Sequence, residues 1–241
     1  MKKAIIIIVC IILAIAIILL GYGYARKMTE EVKNPIVTME IADYGTIKVE
    51  LYPDVAPNTV ANFVKLVQEG YYDGLDFHRT IPGFMIQGGQ NIGADALDYC
   101  IPGEFMANGF QQNTLKHEKG VISMARADYS SMGLAEEGYN SASDQFFIMD
   151  ETTASLDGYY AAFGRVIEGM DVVEKIENVE VKVADDSEET GNTEQSVPVN
   201  PVKITSISVE TNGVDYGLPE TLTPFDYQSW FYSQYMNSYA Q

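Results

Sequence analysis

The sequence predicts a mainly β domain closed into an antiparallel barrel, carried behind an N-terminal membrane-spanning segment. Three observations predict it. Short stretches alternate apolar and polar residues with period two, among them Val37-Met39-Ile41, Ile47-Val49-Leu51 and Val202-Ile204 with Ile207-Val209. Only two stretches repeat at helical spacing, Val60-Phe63-Val64-Val67 and Met170-Val173-Ile176. An unbroken apolar run from Ala4 to Leu20 precedes them all. Many short strands with two helices fit a closed antiparallel sheet, which leaves no unpaired edge.

The chain has 241 residues, enough for one sizeable domain with appendages. Its net charge is −19, from 34 acidic and 15 basic residues. A surface that acidic argues against a nucleic-acid partner, whose phosphates need basic patches, and favours solubility. Cys10 lies inside the apolar run and Cys100 far beyond it, so no disulfide framework is expected. With His78 and His117 alone, and no Cys or His pair at ligand spacing, neither a metal nor a cofactor is expected. No internal repeat of solenoid type is present, and a monomer is expected.

Residues 1–25 read as a transmembrane anchor or signal segment. Lys2 and Lys3 form a short basic head, and Tyr22 and Tyr24 suit the interfacial belt that follows an apolar span. Gly23-Tyr24-Ala25 could serve as a cleavage site. Arg26, Lys27 and Lys33 balance the two N-terminal lysines, so the charge rule leaves orientation open. A very short basic head is nevertheless an export arrangement of bacterial type. The expectation is a single-pass protein of the cell membrane with its folded domain extracytoplasmic, or a secreted one if the segment is cleaved. Residues 26–35 are a polar linker.

The domain is expected over residues 36–210. A hairpin turns at Asp43-Tyr44-Gly45. A helix is expected from Pro57 to Glu69, with Pro57 in the first turn, where a missing N–H costs least. Gln90 to Gln112 and Asp128 to Ser143 are polar loops. Val179 to Asn200 is a loop holding the acidic run Ala184–Thr190, read as solvated. In the closing strand the apolar phase slips at Thr205-Ser206, where a bulge would restore the facing. The tail, 211–241, is rich in aromatic residues and is expected to pack on the domain, the alternatives being that it lies at the membrane or binds a partner.

The chemistry is expected in Phe77-His78-Arg79-Thr80-Ile81-Pro82-Gly83-Phe84-Met85-Ile86-Gln87-Gly88-Gly89. Alternation on each side of Pro82-Gly83 predicts strands Phe77–Ile81 and Phe84–Gly88. Arg79 would share a face with Phe77 and Ile81, and Met85 with Gln87, while His78 would face away. Read alone, this stretch fits equally an ordinary hairpin whose arginine pairs with a carboxylate.

Three further stretches decide between these readings: Gly120-Val121-Ile122-Ser123-Met124-Ala125-Arg126, Gln145-Phe146-Phe147-Ile148-Met149, and Leu156-Asp157-Gly158 followed by Phe163-Gly164-Arg165-Val166. In this order and spacing the set closely resembles the cyclophilin family of peptidyl-prolyl cis-trans isomerases, from about Val37 to about Ile207. The resemblance implies an eight-stranded barrel with a helix over each open end. It implies rotation about X-Pro bonds in proline-containing peptides; together with the N-terminal segment, this makes unfolded exported proteins the expected partners. Arg79 matches the family's catalytic arginine. Phe84, Met85, Phe147 and Leu156 match its proline pocket, with Tyr160 where many members carry histidine. Gln87 and Gln145 match residues that hold the substrate backbone and the arginine. Ala125 and Arg126 match the strand along which the peptide lies, although asparagine is frequent at the second position. Ser155 stands where cyclosporin-binding members carry tryptophan, and Asp128 to Ser143 is longer than the family's loop.

The implied chemistry needs no nucleophile. An X-Pro amide rotates over a barrier of roughly 18–20 kcal/mol, and its nitrogen regains a lone pair when twisted. A guanidinium, always charged and forked, is suited to donate to that lone pair, and it lowers the barrier only if it binds the twisted amide better than the planar one. The alternative is a proline-peptide-binding chaperone or interaction module with little turnover. An arginine donor gives such a binder no advantage. A structural envelope protein using the fold as a spacer is a third, weaker reading.

Overall fold

The computed structural model of the chain describes Ile15 and residues 33–91, 96–184 and 193–239. Apart from Ile15, the expected membrane segment lies outside the described residues, and so does most of the acidic run. Among the described residues, no helix is long and apolar enough to cross a membrane.

Among the described residues ten strands are formed: β1 (Ile36–Ile41), β2 (Gly45–Leu51), β3 (Asp76–Ile81), β4 (Met85–Gly88), β5 (Val121–Met124), β6 (Phe146–Met149), β7 (Ala162–Glu168), β8 (Val181–Val183), β9 (Gln195–Pro198) and β10 (Val202–Glu210). Eight of them close a barrel in the order β1-β10-β3-β4-β6-β5-β7-β2, with every neighbouring pair antiparallel. Alternation explains β1 and β2: Val37, Met39, Ile41, Ile47, Val49 and Leu51 are buried and the residues between them are not. The phase slip in β10 is resolved by the expected bulge. Glu40 pairs with Ser206 and Ile41 with Ile204, which leaves Thr205 as the extra residue. Its hydroxyl donates to the Glu40 carbonyl at 2.9 Å.

Helices α1 (Pro57–Gln68) and α3 (Met170–Glu177) send Val60, Phe63, Val64, Val67, Val173 and Ile176 into the barrel core. Pro57 stands at the start of α1, as expected. The cap comes from elsewhere. Ala56 has no polar side-chain group to offer, and the buried Glu104 carboxylate accepts from the Asn58 and Thr59 amides at 2.9 and 2.7 Å. A carboxylate facing the amides of a first turn satisfies free donors and complements the helix dipole.

Three stretches differ from expectation. Asp128 to Ser143 is an ordered insertion, with a 3₁₀ turn at Ser130–Met132 and a short helix α2 (Ala135–Tyr139). The Ser141 hydroxyl accepts from the Ala127 amide at 2.8 Å, and Asn140 accepts from the Gly103 amide at 3.0 Å. Val179 to Asn200 is not a plain loop, because β8 and β9 pair into a two-stranded hairpin lying against β3. Val181 and Val183 alternate, but three residues carry too little pattern to separate from a loop. In β3 the pairing slips between Phe77 and Arg79, so the two do not share a face. Beyond β10 the tail lies along the domain: Leu222 and Cys100 exchange backbone hydrogen bonds of 2.8 and 2.9 Å, and Tyr227, at the start of α4 (Tyr227–Tyr239), stacks on Tyr129.

β6 is buried at all four positions and divides its side chains between two apolar layers. Phe146 and Ile148 belong to the barrel core, whereas Phe147 and Met149 join Met85, Val121 and Ala162 in a smaller layer on the other face. Phe63 is the hub of the inner layer, with ring centroids 5.2 Å from Tyr72, 5.5 Å from Phe146 and 5.2 Å from Phe163. Phe63→Ala is expected to cost about 3–5 kcal/mol in urea unfolding at constant m-value, whereas Ile167→Ala, at a half-exposed position, should stay within about 0.5 kcal/mol.

Candidate active site

The smaller apolar layer is the floor of a groove. Arg79, Phe84, Met85, Gln87, Ala125, Arg126, Phe147, Leu156 and Tyr160 line it together, around a cavity of about 230 Å³. These are nine of the ten residues that the sequence analysis assigns to the site. The tenth, Gln145, lies in an adjoining depression with Gln87, Ala125 and Arg126. The cavity is below the roughly 300–1,000 Å³ of pockets that hold drug-sized ligands, and suits one small ring with its flanking amides.

Local folding sets this arrangement. Gly83, at φ 71°, turns the chain so that the Phe84 amide donates to the Ile81 carbonyl at 3.0 Å. β3 and β4 then pair with Arg79 opposite Gln87 and Ile81 opposite Met85. Because of the slip at His78, Phe77 enters the inner core while Arg79 reaches the groove. His78 is the extra residue of that bulge. Burial pushes its pKa down, and the Arg79 charge pushes it the same way. In β4 and β6, Gln87 pairs with Phe147 and Met85 with Met149, placing polar and apolar walls side by side.

A run of hydrogen bonds orders the polar wall. Arg79 Nη1 donates to Gln87 Oε1 at 3.4 Å and lies 3.9 Å from Met85 Sδ. Gln87 Nε2 donates to Gln145 Oε1 at 2.9 Å. Gln145 follows Asp144, a buried carboxylate that accepts from the Tyr71 hydroxyl at 2.6 Å. On the outer edge of Arg79, Nε and Nη2 donate to the two carboxylate oxygens of Glu194, at 2.8 and 3.0 Å. The Glu194 pKa is lowered, chiefly by these bonds. The arginine therefore has both partners that the sequence left open, a glutamine in the groove and a carboxylate outside it.

Opposite, the Arg126 guanidinium lies 4.5 Å from the Tyr160 ring centroid and 5.2 Å from that of Tyr139. It donates to the Tyr159 and Ala127 carbonyls, at 3.0 and 2.9 Å. Tyr160 in turn meets the edge of Phe147, with centroids 5.7 Å apart. Arg126 thus stiffens the far wall through its stack and its backbone bonds.

Behind Phe147 is a set of residues the sequence analysis did not assign. The His117 ring stacks on Phe147 at 6.1 Å, with Nε2 3.1 Å from Ser123 Oγ and Nδ1 3.2 Å from Asp157 Oδ1. Ser123 and His117 are fully buried. Burial holds the His117 pKa below its usual value, against the opposing pull of Asp157. No local signal marks this set, since His117 and Asp157 are 40 residues apart. Glu194 was equally hidden, as one acid among 34. Among the described residues, no three His, Cys, Asp or Glu side chains converge to hold a metal ion.

Residues 36–209 match the family described as cyclophilin type peptidyl-prolyl cis-trans isomerase/CLD. Peptidyl-prolyl cis-trans isomerase B of Bacillus subtilis is 40% identical over 143 residues, which are 58% of this chain and 90% of that one. A peptidyl-prolyl cis-trans isomerase of Synechococcus elongatus is 41% identical over 151 residues, 59% of this chain and 92% of that one. The match to peptidyl-prolyl cis-trans isomerase-like 2 of Gibberella zeae, 39% identical, spans 56% of this chain but only 22% of the length of that larger protein. Among solved structures, a cyclophilin type peptidyl-prolyl cis-trans isomerase of Cryptosporidium parvum superposes with a TM-score of 0.58 at 26% identity, covering 73% of this chain and 98% of that one. With its barrel, its groove and a family match over residues 36–209, the chain belongs to the cyclophilin-type peptidyl-prolyl cis-trans isomerases.

Proposed function

We propose that the groove binds a proline-containing peptide and catalyses rotation about its X-Pro bond, with Arg79 as the catalytic donor. The observation that carries this reading is a guanidinium nitrogen, Nη1, at the polar edge of an apolar recess sized for one ring. Phe84, Met85, Phe147, Leu156 and Tyr160 seat the prolyl ring, and Gln87, Gln145, Ala125 and Arg126 hold the peptide on either side. With the ring held, the preceding carbonyl swings. As amide resonance is lost, the prolyl nitrogen becomes a hydrogen-bond acceptor beside Nη1. A donor already in place there strengthens its bond only in the twisted state, which is what lowers a barrier. A related Cryptosporidium parvum structure was determined in the presence of the dipeptide Ala-Pro, a ligand of the size this recess accepts.

The Ser123–His117–Asp157 alignment has the residue types of a hydrolase triad but not its access. Ser123 lies within β5 and is fully buried, so its oxygen cannot reach a substrate carbonyl. His117 instead backs the Phe147 ring and keeps the recess floor rigid.

We further propose that the apolar run at residues 4–20 anchors the chain in the cell membrane, with the isomerase domain outside the cytoplasm, where it serves newly exported proteins. The support is the run itself and its short basic head. Full-length chain should stay with membranes through alkaline carbonate extraction, and protease added outside spheroplasts should cut the domain away. Release by carbonate, or protection from the protease, would contradict the anchor or its orientation.

Isomerisation of a short Ala-Pro peptide by the piece from Lys33 onward tests the activity. Arg79→Ala should lower kcat by about 10²–10³-fold with far-UV dichroism unchanged, and Arg79→Lys should restore only part, because an ammonium keeps charge but not the fork. A folded wild type without acceleration, or an alanine variant at full rate, would favour the binding-module reading.

His117 makes stability depend on pH, with a definite sign. Its folded pKa is lowered, so the unfolded chain binds a proton near pH 6.5 that the folded chain still refuses. Its contribution is complete above that value and is lost as pH falls. Between about pH 7 and about pH 5.5, the urea midpoint of wild type should therefore fall further than that of His117→Asn. An equal or smaller fall in wild type would count against the buried neutral imidazole.

A further inference from the structure

We propose that Glu194 is a positioning residue for the catalytic arginine, clamping one edge of its guanidinium so that the remaining nitrogen points into the groove. The proposal rests on the isomerase reading of Arg79.

The geometry divides the guanidinium in two. Nε and Nη2 are taken by the two oxygens of one carboxylate, at 2.8 and 3.0 Å, while Nη1 faces Gln87 Oε1 and Met85 Sδ, both in the groove lining. A guanidinium is planar, so fixing two nitrogens of one edge fixes the direction of the third. The Gln87 contact alone, at 3.4 Å, is a long bond and a weak guide for a side chain with several rotatable bonds. Glu194 supplies the stronger restraint, and it comes from outside the barrel. It stands just before β9, in the hairpin that lies against β3, the strand that carries Arg79.

A carboxylate on a catalytic cation could also block it. The placement favours positioning, because Glu194 is not part of the groove lining and leaves the recess open. Charge compensation is modest for the same reason. The side chains of Arg79 and Glu194 are 32% and 40% exposed, so solvent screens the pair while the two-bond geometry persists. The orienting effect therefore exceeds the loss of field at the prolyl nitrogen.

The test is a double-mutant cycle in the Ala-Pro isomerisation assay. Glu194→Ala should lower kcat about 3–5-fold with KM within about two-fold, the range that a partly exposed ion pair can supply. Glu194→Gln, which keeps one acceptor oxygen, should fall between alanine and wild type. Glu180→Ala, which removes an acid from the same hairpin away from Arg79, should leave kcat unchanged. In an Arg79→Ala background, Glu194→Ala should have no further effect, because its action passes through the guanidinium. A purely structural role would lower the rate equally in both backgrounds, which would overturn the proposal. A rise in kcat/KM on removing Glu194 would make the carboxylate a block and overturn it too. An active wild type matched by Glu194→Ala removes the role of Glu194 alone, whereas a folded but inactive wild type removes the isomerase reading and this proposal together.

Discussion

Two apolar layers lie back to back in this barrel, and the period-two alternation of β4 and β6 decides which side chain enters which. Ile86, Phe146 and Ile148 fill the inner core, while Met85, Phe147 and Met149 belong to the layer under the groove, with Met85 and Phe147 lining it. The recess is thus the second face of a sheet whose first face holds the domain together. A one-residue slip in β4 would turn Met85 away from the recess and move Gln87 off the groove face, and a slip in β6 would take Phe147 from the recess floor. β3 meets the same requirement with a bulge. Phe77 belongs inside and Arg79 outside, and strict alternation cannot place both, so His78 takes up the extra position.

The polar side of the groove follows from burial as much as from charge. Glu194, Arg79, Gln87 and Gln145 form a row in which each side chain meets the next. Behind them, Asp144 ties Tyr71 and the Tyr72 hydroxyl to the base of β6 through its carboxylate and its carbonyl. On the other wall, Arg126 stacks on Tyr160 and bonds two carbonyls. Neither arginine is loose, although both stand at the rim of a solvent-filled cleft. Rigid donors need no reorganisation when the charge they meet develops, and that is the property an isomerase needs in place of a nucleophile.

Much of this was legible in the chain. The hairpin at 36–51, the helices begun by Pro57 and Gly169, and the bulge in the last strand follow from periodicity and a few turn residues. The ten site residues came from a resemblance carried by Arg79, Gln87, Phe147 and their neighbours, and nine of them line one groove. Tertiary partners were not legible. Glu104 caps a helix whose first residue lies nearly 50 positions earlier, and Glu194 reaches an arginine 115 positions away. In an acid-rich chain no local pattern marks either carboxylate. The β8–β9 hairpin was missed because its strands are three and four residues long, too short for alternation to stand out. The slip in β3 was missed because Phe77, Arg79 and Ile81 alternate in sequence while the pairing does not.

The ring of strands closes between its first and last members. β1 lies between β2 and β10, and Glu40 and Thr205 meet across 165 positions of sequence. A ribosome delivers the chain from its N-terminus, so β1 has one neighbour from early on and lacks the other until Glu210 has emerged. Joining ends so far apart also carries a loop-closure penalty that nearer pairings do not. The barrel therefore cannot close until β10 has been made, and every strand before it waits on that last pairing.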